Sequence, residues 1–345
     1  MKQKLRIPNL VSLGSFVILI LILSLVFPVS AQQKEDPEQY SFAFKWGSMG
    51  SNEGQFIAPH DVEFDSQGNV YISDRINNNI QKFTHDGKYI MQWGTKGSED
   101  GQFMVPYSIS IDSSDNLYVI DRDNNRTQKF TSNGTFLGKW KSPGGSGSNY
   151  TFNRPEDMAQ DISSGSIYIT DTGNNRIVKL DSDFNFVTDW GSYGNIKGKF
   201  SHPHGIGVDS SGNVYVNDLN SARIQKFDSN GKFLKQWGSK GNADGQFTLP
   251  LEHLFVDPSD NVWQVEGEKN PRIQKFDSNG AFVTSVGAGP CVIEDRVKID
   301  RLKMSQDLEC DGKLHQPEHA NMDSSGNLYV VDRGNQRIEV FSPLN

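Results

Sequence analysis

One phrase of roughly 47 residues recurs six times between Phe56 and Phe341 and reads most cleanly from Phe200 to Gly238. Each copy runs from a short alternating strand through an Asp and a Gly-Asn turn to an aromatic-Val-x-Asp strand. It continues through Arg-Ile-Gln-Lys-Phe and closes on Trp-Gly. A repeat of this period fixes the architecture before any single residue is weighed. The second strand carries Tyr71, Tyr118, Tyr168, Tyr215, Trp263 and Tyr329 and ends at Asp74, Asp121, Asp171, Asp218, Glu266 and Asp332. Those acids are spaced 47, 50, 47, 48 and 66 residues apart, so the last gap holds an insertion.

Each unit contains four short runs of β-branched and aromatic residues bounded by turns such as Asp65-Ser-Gln-Gly68-Asn69, which reads as four strands. Such a unit cannot bury both faces alone, and radial stacking of six gives an all-β, six-bladed β-propeller. The sixth copy stops at Phe341 after three strands, and Tyr40 to Gly47 copies the missing fourth. The N-terminal strand therefore completes the last blade and removes two open sheet edges. Trp46, Trp93, Trp140, Trp190 and Trp237 recur on fourth strands and read as packing between blades. Arg126, Arg176, Arg223, Arg272 and Arg337 open third strands and read as scaffold hydrogen-bond donors.

The Asn-Arg-Ile-Gln-Lys-Phe-like segments at Asn125 to Phe130, Asn175 to Leu180, Arg223 to Phe227, Arg272 to Phe276 and Arg337 to Phe341 resemble NHL repeats. That family forms mostly six-bladed propellers. The resemblance implies a fold and not an activity, because propellers host unrelated functions.

Residues 1–31 read as a signal peptide or, if uncleaved, a membrane anchor: Lys2, Lys4 and Arg6 precede an apolar stretch from Val11 to Phe27, and Ala31 suits cleavage before Gln32. Residues 32–39 form a linker, and 40–345 the propeller. A secreted or extracytoplasmic location is expected, with membrane attachment only through an uncut leader. Loss of the leader takes the formal charge from −8 to −11, because three positive charges leave with it. An acidic, exported chain is poorly suited to nucleic acid, so the expected partner is an extracellular protein, peptide or glycan, bound by a monomer. Cys291 and Cys310 lie together in the insertion 288–314 and are expected to pair in an oxidising compartment. The bridge either tidies a long loop or staples a lid over the ring. Asn149 is the most accessible of three glycosylation sequons.

Six of the seven histidines, His60, His202, His204, His253, His315 and His319, fall within three residues of the start of an innermost strand. Counting five residues back from the Asp that ends each innermost strand, Asp65, Asp112, Asp161, Asp209, Asp257 and Asp323, gives His60, Tyr107, Glu156, His204, Glu252 and Glu318. One step on lie Asp61, Ser108, Asp157, Gly205, His253 and His319. These positions are expected around the upper mouth of the channel. Imidazole and carboxylate are the ligands of a catalytic Zn²⁺ site, which makes His60, His204, His253, His319 and Glu252 candidate metal ligands. A hydrated polar channel is the competing reading.

Pro59-His60-Asp61-Val62 and Pro203-His204-Gly205-Ile206 resemble the Pro-His motifs of peptidyl-α-hydroxyglycine α-amidating lyase, a secreted six-bladed propeller. The resemblance implies Zn²⁺ held by histidines from alternate blades and Tyr107 as catalytic acid or base. His60 and His204, however, stand in the first and fourth copies, which face each other across the ring. The alternating sets that can be written are Tyr107, His204 and His319, or His60, Glu156 and Glu252 or His253.

Arg75, Arg122 and Arg333 each follow the Asp that ends a second strand, in copies that become neighbours when the ring closes. They form either an arc that binds a ligand anion beside Glu156 and Glu318 or three exposed turns without energetic meaning. No nucleophile signature, Walker loop or dinucleotide fingerprint is present. Two functions therefore compete: a scaffold that binds a ligand or protein through its top face, and a metal-assisted lyase or hydrolase.

Overall fold

The computed structural model describes residues 39–141, 151–287 and 311–344. The leader, Asn149, Cys291, Cys310 and most of the insertion lie outside the described residues. Six antiparallel sheets of four strands each make up the chain from Tyr40 onward. Five sheets follow chain order. In the sixth, Tyr40–Trp46 pairs with the last strand, Arg337–Pro343, in the register Tyr40↔Pro343 to Trp46↔Ile338. Chain start and chain end thus share one blade, and the ring closes.

Six apolar clusters bind the ring, and each is shared by two neighbouring blades. The cluster that joins last blade to first sets Tyr329, Val331 and Ile338 against Val62, Ile72 and Phe83, all buried. The recurrent tryptophans reach across the same interfaces. Trp190 lies against the hairpin turn of the next blade, where Gly231 has φ +82 and a Cβ would meet the indole at 2.5 Å. At Gly231 the missing Cβ serves both the left-handed backbone and that close approach. In the third blade Phe184 takes the glycine's place and stacks on Trp140 with centroids 4.1 Å apart.

Turn chemistry holds each blade from within. Asp65 Oδ1 accepts the amides of Gln67 and Asn69, while Oδ2 accepts the Tyr71 hydroxyl at 2.9 Å. The fully buried Arg126 donates Nε to Asp121 at 2.7 Å and its remaining nitrogens to the carbonyls of Ser98, Glu99 and Gln102. The repeated arginines are therefore braces between strands and loops. Each strand-ending carboxylate also anchors the innermost strand, as Asp74 does by accepting the amides of Ile57 and Ala58.

Candidate functional site

The innermost strands Pro59–Phe64, Pro106–Ile111, Pro155–Gln160, Pro203–Val208, Leu251–Val256 and Pro317–Met322 line the axis. Each begins at the face that carries the turns after the second strands, so its second residue looks toward that mouth. Strand alternation then sends the third residue into a different layer. The two registers read together from the sequence are accordingly two layers.

The outer layer holds His60, Tyr107, Glu156, His204, Glu252 and Glu318. His60 Nδ1 donates to the Tyr107 carbonyl at 3.0 Å, which leaves Nε2 facing Glu318 at 3.6 Å without a hydrogen bond. The Tyr107 hydroxyl meets His204 Nε2 at 3.4 Å. Glu156 Oε2 lies 3.1 Å from His202 Nε2 and 3.8 Å from His204 Nε2.

The turn arginines lean over this layer. Arg122 and Arg75 place their guanidinium carbons 4.6 and 5.4 Å from the Tyr107 ring centroid. Arg75 approaches Glu318 to 3.8 Å and Arg122 approaches Glu156 to 4.0 Å, while Arg333 contacts Glu318 directly. The first two separations exceed hydrogen-bond length, so Glu318 and Glu156 leave those Nη donors untaken, while Arg122 Nε donates to Asp123 at 2.9 Å. A hollow of about 230 Å³ beside this layer is lined by Arg154, Thr172, Tyr193 and His202.

Burial first, then the Arg75 charge, holds the His60 imidazole well below its ordinary pKa. Burial likewise lowers His204, against the pull of Glu156. For Glu156 burial works upward, but His202, His204 and Arg122 outweigh it and bring the carboxyl below its usual value. Glu252 goes the other way, raised by burial and by Glu318. Burial and Glu156 push the Tyr107 phenol up. The layer thus sets imidazoles that resist protonation and a Glu252 that holds its proton more tightly beside a Glu156 that gives its proton up more readily, under a rim of guanidinium groups. Acids with divergent environments side by side are the electrostatics of a binding or acid–base site.

The inner layer holds Asp61, Ser108, Asp157, His253 and His319. Asp61 Oδ2 accepts the Ile109 amide at 2.6 Å, and Asp157 Oδ2 accepts the Ile206 amide at 2.9 Å. The His253 and His319 rings stack with centroids 3.2 Å apart. The five histidines and acids named as metal ligands are thus divided, with His60, His204 and Glu252 outside and His253 and His319 inside. Among the described residues, one set of three potential ligands brings its donor atoms within 4.8 Å of one another, and it is Asp157, His253 and His319. The Zn²⁺ implied by the Pro-His motifs does not fit His60 and His204, whose Nε2 atoms face separate acids. Asp157 was missing from the sequence-derived ligand set, although Asp recurs at its repeat position in copies one and three, and His in copies five and six.

Family comparison matches the NHL repeat at residues 152–180 and 200–227 and a family described as a 6-bladed beta-propeller at residues 52–143. No curated protein sequence matches the chain. Among solved structures, a protein of unknown function from Bacteroides thetaiotaomicron is 15% identical with a TM-score of 0.66, over 89% of this chain and 76% of that one. A gluconolactonase from Xanthomonas campestris is 14% identical with a TM-score of 0.59, over 90% and 95%. The virginiamycin B lyase of Staphylococcus aureus is 15% identical with a TM-score of 0.58, over 89% and 100%. At these identities the likeness concerns the fold.

Proposed function

The chain is an NHL-repeat six-bladed β-propeller, and from that premise we propose that it binds the carboxylate group of an extracytoplasmic peptide or glycan at the mouth of its channel. The observation that carries this reading is the convergence of Arg75, Arg122 and Arg333, from three adjacent blades, on Tyr107 and Glu318. A planar guanidinium matches a carboxylate through paired N–H donors; Asp123 takes Arg122 Nε, and the Nη groups of Arg122 and Arg75 stay beyond hydrogen-bond length of Glu156 and Glu318. Glu252, whose carboxyl burial and Glu318 push above the usual range, repels an incoming anion less than an ordinary glutamate would. Bare His60 Nε2 is an acceptor for a ligand hydroxyl or amide, and the hollow at His202 holds the remainder of the ligand.

The test pairs ligands that differ only in charge: tri-glycine against its C-terminal amide, and D-glucuronate against D-glucose. Saturable binding of the charged member of a pair supports the reading. Equal affinity within both pairs, or no binding, contradicts it. Export belongs to the same proposal, and an exported protein whose mature N-terminus is Gln32 supports the cleaved form.

A second reading, an enzyme, is favoured by the Tyr107 hydroxyl facing His204 Nε2 at 3.4 Å, with the Glu156 carboxyl 3.8 Å from the same nitrogen. In that reading Tyr107 is the acid and His204 the base of a lyase or hydrolase reaction. The fold is also used by proteins named as a lyase and a gluconolactonase. Mass change of a bound ligand, abolished in Tyr107→Phe, separates this reading from simple binding.

A further inference from the structure

We propose that Asp157, His253 and His319 form a site for a divalent transition-metal ion in the inner layer of the channel, reached from the face opposite the arginines. The proposal is independent of ligand binding at the mouth and concerns different residues. Two imidazoles and one carboxylate are a donor set for divalent ions of the iron-to-zinc series.

The geometry is already close to what an ion needs. His253 Nε2 and Asp157 Oδ2 are 3.3 Å apart. Bonds of about 2.0–2.1 Å at tetrahedral angles separate ligand atoms by about 3.4 Å. The stacked rings of His253 and His319 present two imidazoles side by side. His319 Nε2 is taken by Asp61, so His319 offers Nδ1, which is buried without a hydrogen-bond partner in a residue only 3% exposed. Leaving such an atom unpaired is costly, and an ion shared with His253 Nε2 and Asp157 gives it a partner.

The surroundings are organised as a support for such an ion. The Ile206 amide fixes Asp157, and the Ile109 amide fixes Asp61. Asp61 Oδ1 in turn lies 2.9 Å from His319 Nε2, the kind of carboxylate contact that orients a metal-bound histidine. Asp157 is itself only 5% exposed, and a divalent ion beside it offsets the cost of burying its charge. Access exists as well. A cavity of about 260 Å³ opens beside Glu63, Ser110, Met158, Ile206 and Asn321, and His253 is part of its wall.

The full chain, stripped with chelator and then titrated with Zn²⁺ and with Co²⁺, tests the site. One ion per chain is expected, with visible Co²⁺ absorption characteristic of nitrogen ligation. Affinity should fall at least about 100-fold in His253→Gln and in His319→Gln, and stay within about twofold in His85→Gln, an exposed turn residue. Thermal melting should rise with Zn²⁺ in the parent and in His85→Gln but not in the two inner-layer variants. Should the inner-layer variants fail to fold, the parent spectrum decides: absence of nitrogen-ligated Co²⁺ bands overturns the site. Absence of saturable binding, or binding unchanged in folded His253→Gln and His319→Gln, overturns it equally.

Discussion

The guanidinium of Arg122 lies over the ring of Tyr107, 4.6 Å from its centroid, although the two residues belong to the turn after one strand and the start of its neighbour. This contact draws the turn into the mouth, and Arg75 of the preceding blade approaches the same ring. A turn that would otherwise be solvated thereby becomes one wall of a site. Its consequences are measurable.

Replacement of Arg122 by Lys keeps the charge but loses the planar pair of donors and the stacking on Tyr107. Carboxylate affinity should fall about 10-fold in Arg122→Lys and further in Arg122→Ala, since charged hydrogen bonds contribute about 1.5–3 kcal/mol. Calorimetric titration checks the order. Equal affinities in the parent and both variants would show that the arginine faces no ligand.

Acid should destabilise the protein in two steps with different owners. His60 and His204 are held below the ordinary imidazole value of about 6.5, so the unfolded chain takes up protons that the folded chain refuses, and stability falls as pH drops below about 6.5. Glu156 is held below its ordinary value, so its contribution persists until pH falls below about 4.3 and is lost through its folded pKa. Glu252, raised by burial, has the opposite slope and is common to parent and variant. Denaturant melts from pH 7.5 to 5 should show a shallower acid loss in His60→Gln than in the parent. Parallel curves would remove His60 as a cause.

Two glycines with left-handed backbone should respond differently to the same substitution. Gly68 has φ +78 and open space around it, whereas a Cβ on Gly231 strikes Trp190. Gly68→Ala carries backbone strain alone, about 1 kcal/mol, and Gly231→Ala should lose about 1–3 kcal/mol more as the indole is displaced. Paired chemical denaturation measures the difference. Equal losses would mean that the tryptophans do not grip the neighbouring blade.

Arg126→Ala leaves Asp121 buried without its cation and takes one donor from each of the Ser98, Glu99 and Gln102 carbonyls. A loss of about 3–5 kcal/mol is expected. Arg126→Lys should recover less than half of it, because a single ammonium cannot span those acceptors.

The fold was legible because its determinants are local and repeated. An Asp that closes a turn and an aromatic residue six or seven positions on recur in all six copies, an Arg that braces the blade recurs in five, and the partner strand at Tyr40 copies a sequence found in other blades. The site was legible only in part. Counting back from Asp65 or Asp161 names the residues near the axis, but adjacent strand positions face different layers, so His60 and Asp61 do not share one environment. Sequence spacing likewise does not say that Arg75 folds inward over Tyr107, since that depends on contacts between blades.

The most direct measurement is calorimetric titration of the parent chain and of the combined Arg75→Ala, Arg122→Ala, Arg333→Ala variant with tri-glycine and with D-glucuronate. Saturable one-to-one binding in the parent, at least about 100-fold weaker in a variant that melts normally, is the predicted result. Binding of equal strength in both proteins would contradict a carboxylate site at the channel mouth.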